Sequence, residues 1–96
     1  MARRSFGNVW EALEDTPAEA ASMTMRSSLL IAIEQQVRGW KLTQAAAARR
    51  LDITQPRLSD LLHGKIDKFS LDTLIDLATK AGVKVRIQIT APAKAA

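Results

Sequence analysis

Cysteine is absent from the 96 residues, and histidine occurs once. Without thiols there is neither a disulfide framework nor a thiolate metal site, and a lone imidazole cannot build a zinc centre. Long apolar runs are also missing. The longest, Leu29 to Ile33, falls far short of the roughly 20 residues that cross a bilayer as a helix. No membrane association is expected. The N-terminus lacks the apolar stretch of a signal peptide, so a cytoplasmic location is expected. The constellations that carry catalysis are missing as well: no Ser-His-Asp arrangement, no phosphate-cradling glycine loop, no histidine pair, no local carboxylate pair with an evident base role. The sequence therefore predicts no enzyme, no catalytic residues, no metal and no cofactor.

What is present suits one compact domain. Of the 96 residues, 47% are hydrophobic, and a chain this short buries only a modest core, which dimerisation would supplement. The net charge of +4 is unevenly spread: residues 1 to 34 hold three basic and five acidic side chains, residues 38 to 96 eleven and five. A polyanion such as DNA, facing the basic two-thirds, fits that polarity, because phosphate neutralisation supplies most non-specific affinity.

Residues 1–15 show no sustained period, although Phe6, Val9, Trp10 and Leu13 are spaced for a helical turn or two. They are assigned as an arm or short helix. Thr16, Pro17 and Glu19 form a helix start: a capping hydroxyl, a proline whose missing N–H costs nothing at the first position, and an acid near the positive helix end. Met25, Leu29, Ala32, Ile33 and Val37 follow one helical face, with Gly39 as the expected stop. Thr43 then caps a helix of roughly Gln44 to Leu51, and Thr54 one of about Gln55 to Leu62 that ends at His63-Gly64. Either Thr54 caps the amide of Arg57, or Gln55 is the boundary and Pro56 the first helical residue. Ser70 caps a fourth helix bearing Leu71, Leu74, Ile75 and Ala78, stopped by Gly82. Residues 16–82 form the helical domain.

From Val83 the period changes to two. Val83, Val85, Ile87 and Ile89 alternate with Lys84, Arg86, Gln88 and Thr90, which predicts a strand over 83–90. A lone strand leaves its backbone unsatisfied, so it needs a partner: its own copy across a two-fold axis, or the N-terminal arm of the same chain. The first assigns Val83, Val85, Ile87 and Ile89 to a homodimer interface. Residues 91–96, opening with Ala91-Pro92, form a disordered tail.

Two short helices joined by a three-residue turn, with small residues at Ala45 to Ala48 and polar ones at Gln44, Gln55, Arg57 and Ser59, match a helix-turn-helix. The stretch Leu42 to Val83 resembles the phage Cro- and cI-repressor-like family, also called XRE. The resemblance rests on Leu42-Thr43-Gln44, Ala48, Leu51, Ile53-Thr54-Gln55, Leu58-Ser59, Leu61, Gly64-Lys65, Ser70-Leu71, Leu74, Leu77-Ala78 and Gly82-Val83. It implies a mainly α, four- to five-helix, lambda-repressor-like fold, here with one C-terminal β-strand pairing in a dimer. It also implies a dimeric transcriptional repressor that reads the major groove of a pseudo-palindromic operator in double-stranded DNA. Asp52 stands where the family usually has glycine, and tolerates a left-handed turn better than most residues. Ala47 replaces a frequent larger aliphatic, implying a smaller core there.

Carried over by position, Gln55 resembles the leading base reader, and a Gln binds adenine through two hydrogen bonds. Ser59 reaches a base edge, and Pro56 and Asp60 occupy positions that often carry direct readers. Asp60 would accept from cytosine or repel phosphate. Gln44 resembles the phosphate clamp, beside the hydroxyls of Thr43 and Thr54, with Arg57, Lys65 and Lys68 as further phosphate contacts; Arg57 alternatively meets guanine. Arg49, Arg50 and His63 read as surface groups, and Trp40 as packing between the first helix and the motif.

Outside the motif, the block Ser5 to Leu13, the helix around Met23 to Leu30 and the terminal strand resemble the HigA-like antitoxin branch. Such proteins repress their own operon and neutralise a small basic RelE/HigB-type toxin. In that reading Glu11, Glu14, Asp15 and Glu19, with Phe6 and Trp10, meet the toxin; the alternative is an arm folded on its own domain.

Overall fold

In the computed structural model of the chain, residues 16–92 are described. Four α-helices follow in order: α1 (Pro17–Trp40), α2 (Gln44–Leu51), α3 (Gln55–Leu62) and α4 (Leu71–Lys80), with a single 3-10 turn, Ile66–Lys68, before α4. Each helix starts as its capping residue dictates. The hydroxyl oxygens of Thr16, Thr43, Thr54 and Ser70 accept from the amides of Glu19, Ala46, Arg57 and Thr73 at 3.0, 3.2, 3.3 and 3.1 Å. Each hydroxyl thus satisfies one first-turn donor that the helix itself leaves without a partner. Of the two starts open for α3, the Thr54 cap on Arg57 is the one formed.

The helix ends share a second device. Asp52, Gly64 and Gly82 take left-handed φ of 59°, 71° and 83° just past α2, α3 and α4. At each, two amides turn back onto the last turn: Ile53 to Ala48 and Asp52 to Arg49, Lys65 to Asp60 and Gly64 to Leu61, Val83 to Ala78 and Gly82 to Thr79. This is the Schellman arrangement.

α1 departs from expectation at its C-terminus. Gly39 remains helical, and the helix ends one residue later with Lys41 left-handed at φ 57°. Staying helical through Gly39 holds half-buried Trp40 against the core, and that burial outweighs the roughly 1 kcal/mol that glycine costs a helix.

One core joins all four helices. Ile33, Leu51, Leu58, Leu61, Phe69, Leu74 and Leu77 are sealed from solvent, and no polar side chain is buried among the described residues. α1 packs chiefly on α4 and α2 on α3. On α1 only Leu30, Ile33 and Val37 are buried. Met25, expected on the buried face, is 47% exposed, because the core lies under the second half of this long helix. Ala47 and Ala48 are buried and let α2 approach its neighbours. An open surface cleft of about 280 Å³ is lined by Val37, Leu42, Ala47, Leu58 and Leu62.

Residues 83–92 have no regular secondary structure, and no strand occurs among the described residues. The segment runs beside α1 and α4, leaving an apolar groove lined by Met25, Leu29, Ile75, Val83, Val85 and Ile87. Exposure climbs along it, from half-buried Val83 to 69% at Ile87 and 88% at Ile89. Among the described residues, then, no strand is formed, and the far end of the alternating apolar face, Ile87 and Ile89, is uncovered.

Of the three Schellman positions, Asp52 is the one not occupied by glycine. Asp52→Gly is expected to raise unfolding free energy by about 0.5 kcal/mol, the strain relieved minus glycine's extra unfolded-chain entropy. Asp52→Val, β-branched at positive φ, should lower it by more than about 1 kcal/mol. Urea denaturation with unchanged m-value measures both.

Candidate nucleic-acid interface

α2 and α3 meet through the turn Asp52-Ile53-Thr54, and the burial of Leu58 and Leu61 fixes which side of α3 faces out. At about 100° per residue, Pro56, Ser59, Asp60 and His63 point away from Leu58 and Leu61. Gln55 and Arg57 lie on opposite flanks, Arg57 on the one toward Phe69. Gln55, Pro56 and His63 are exposed, whereas Arg57, Ser59 and Asp60 are half-buried.

Several of these side chains are already held. The Ser59 hydroxyl lies 3.3 Å from His63 Nδ1, which itself lies 2.7 Å from the Ser59 carbonyl oxygen. Arg57 places its guanidinium carbon 4.4 Å from the centroid of the Phe69 ring, a cation–π stack that seals the buried phenyl group. Asp60 pairs with Lys65 at 3.6 Å and with Lys68 at 3.7 Å. Gln44 and Gln55, the first residues of their helices, extend into solvent, and among the described residues neither side chain has a hydrogen-bond partner.

The two helix starts differ in what they offer an anion. In α2 the amides of Gln44 and Ala45 precede the first intrahelical donor, since Ala46 is capped by Thr43 and Ala47 donates to the Thr43 carbonyl. In α3 the corresponding pair is reduced to Gln55, because Pro56 has no N–H. Phosphate therefore finds two backbone donors at α2 and one at α3. Thr43 and Thr54 spend an oxygen lone pair on capping, which leaves each hydroxyl proton free to donate.

Three features escaped the sequence. Phe69 is 1% exposed. It directly precedes the Ser70 cap, with Leu74 at the fourth helical position, and that staple spacing was a usable signal. Arg26 of α1 reaches across to donate to the Phe69 carbonyl at 3.5 Å. Arg50, expected as a plain surface charge, lies 4.1 Å over the Trp40 ring and clips α2 to the end of α1. Nothing local to Arg26 or Arg50 announces those partners.

The arrangement has solved counterparts. The model of a family described as helix-turn-helix domain matches residues 12–90. A solved chain described as an XRE family transcriptional regulator superimposes with a TM-score of 0.71 at 31% identity, covering 81% of this chain and 88% of that one. The chain belongs to the helix-turn-helix family, of the XRE type. Among curated proteins none matches it. As an XRE-type domain it places α2 and α3 as the motif, with Phe69 and the 3-10 turn beside α3. No helix among the described residues is long and apolar enough to cross a membrane. No group of three or more His, Cys, Asp or Glu among those residues could hold a metal ion.

Phe69→Leu keeps most of the apolar burial but removes the aromatic face. It is expected to cost about 1 kcal/mol of stability and to free the Arg57 side chain. Thermal or urea unfolding gives the first, and the NMR order parameter of the Arg57 Nε–H the second.

Proposed function

We propose that the chain is a sequence-specific DNA-binding transcriptional regulator, acting as a dimeric repressor with α3 in the major groove. The observation that carries this reading is the presentation of Gln55 on α3, exposed and without a side-chain partner, by a helix pair whose inner faces are locked in the core. Gln55 and Ser59 address base edges, and Pro56 offers an apolar contact such as a thymine methyl accepts. Gln44, Thr43, Thr54, Arg57, Lys65 and Lys68 hold phosphates on either side, with the two free amides of α2 adding to the clamp at Gln44.

Dimerisation through residues 83–90 completes the proposal. Val85, Ile87 and Ile89 are exposed in the single chain, and among the described residues the backbone of that segment has no strand partner, so a second copy across a two-fold axis would satisfy both. Two α3 helices would then meet half-sites about 34 Å apart on a pseudo-palindromic operator.

A second role, binding a small basic RelE/HigB-type toxin, is supported by the acidic excess of residues 1–34 and by exposed Met25. Of the surface assigned to that partner, Glu19 is exposed in the first turn of α1. Phe6, Trp10, Glu11, Glu14 and Asp15 lie outside the described residues.

Binding of the purified chain to its own upstream DNA tests the main reading, with two contrasting variants. Gln55→Ala should weaken binding by about 1–3 kcal/mol at particular base pairs, whereas Lys65→Ala should weaken it on every sequence and flatten the salt dependence by about one unit of slope. Equal loss on all sequences for Gln55→Ala would remove it as a base reader. For the dimer, Ile87→Arg with Ile89→Arg alters side chains outside the core. Sedimentation should show a folded monomer, and a dimer surviving the pair would rule out the strand interface.

A further inference from the structure

Asp60 puts a negative charge on the outward face of α3, where a polyanion is to dock. Its surroundings give that charge a task. Oδ1 lies 3.6 Å from Lys65 Nζ and Oδ2 lies 3.7 Å from Lys68 Nζ, so one carboxylate is shared between two ammonium groups. The lysine side chains are 55% exposed and the aspartate 25%, which leaves the ammoniums reachable from solvent with the carboxylate sheltered behind them. Asp67, exposed in the same turn, pairs with neither lysine.

The backbone, rather than chance side-chain drift, creates this cluster. Gly64, left-handed at φ 71°, turns the chain back so that the Lys65 amide donates to the Asp60 carbonyl at 3.0 Å. The Lys68 amide in turn donates to the Lys65 carbonyl at 3.0 Å, and buried Phe69 anchors the far end. Both lysines are thereby returned to the side of α3 that carries Asp60. The pairs are looser than a charge-assisted hydrogen bond of about 2.7–2.9 Å, and exposed pairs of this kind are weak enough to be exchanged.

We propose that Asp60 is an internal competitor for phosphate. It occupies Lys65 and Lys68 in the unbound chain and yields them when a nucleic-acid backbone arrives, so it sets affinity for all sequences alike and reads no base. The proposal rests on the DNA-binding reading above. With Asp60 ionised the three groups carry a net charge of one; without it they carry two. The carboxylate therefore weakens non-specific capture, leaving discrimination to α3's other side chains.

The test compares Asp60→Asn with the wild-type chain on two duplexes of equal length, one from its own upstream DNA and one unrelated, across about 50–200 mM salt. The expected result is about tenfold tighter binding to both duplexes by the same factor, with a log–log salt slope steeper by about one. Asp60→Ala should give the same gain, which separates loss of charge from any effect of the new amide. Adding Lys65→Ala and Lys68→Ala to Asp60→Asn should abolish the gain. Unchanged affinity and slope in Asp60→Asn would overturn the proposal. So would a loss confined to one base pair of the upstream duplex, which would make Asp60 a reader of cytosine. Wild-type binding to neither duplex at the lowest salt would instead overturn the DNA-binding reading and this proposal with it.

Discussion

Phe69, 1% exposed, lies where the long helix, the outward-facing helix and the last helix are tied together. Its carbonyl accepts Arg26 of α1, its ring carries the Arg57 guanidinium of α3, and its position just before Ser70 sets the start of α4. Burial of an aromatic ring is worth a few kcal/mol, several times the worth of an exposed ion pair. The surface charges around α3 are thus arranged by the apolar anchor and do little to arrange it. Moving Phe69 would displace the turn that carries Lys65 and Lys68 as well as the platform under Arg57.

That hierarchy explains how a domain with no buried polar side chain among its described residues positions a polar surface. Leu58 and Leu61 orient α3, and Ala47 and Ala48 allow α2 to come close. Four left-handed residues, Lys41, Asp52, Gly64 and Gly82, then end the helices abruptly enough for loops of a few residues to reverse the chain. Each polar group near α3 sits on a segment whose backbone is already committed. Recognition built this way needs little ordering on binding, and the entropy of fixing the backbone is paid in folding.

The local devices were legible in the sequence because they act over three or four residues. The capping hydroxyls of Thr16, Thr43, Thr54 and Ser70 and the left-handed Gly64 and Gly82 lie where residue type alone puts them, and the left-handed Asp52 where the family resemblance has glycine. The helix-turn-helix followed from these, since two capped helices of eight residues around a three-residue turn leave few other arrangements. Gly39 misled for the opposite reason. Its local preference is to stop a helix, but Trp40 gains more by remaining in helical register against the core. Met25 likewise obeyed the helical period, yet it lines an open groove and stays 47% exposed.

Capping residues and helical spacing marked the four helices in the sequence, and the family resemblance put Gln55, Pro56 and Ser59 on the motif helix. Periodicity also determined that residues 83–90 carry one apolar edge, because alternation is written in residue order. Tertiary structure alone decided what the charges do. Asp60 meets Lys65 and Lys68, Arg57 meets Phe69, Arg50 meets Trp40, and Arg26 crosses 43 positions to reach a carbonyl. Long, flexible charged side chains have no periodic signature. Their partners are set by which backbones the core brings together, and a linear sequence does not contain that distance.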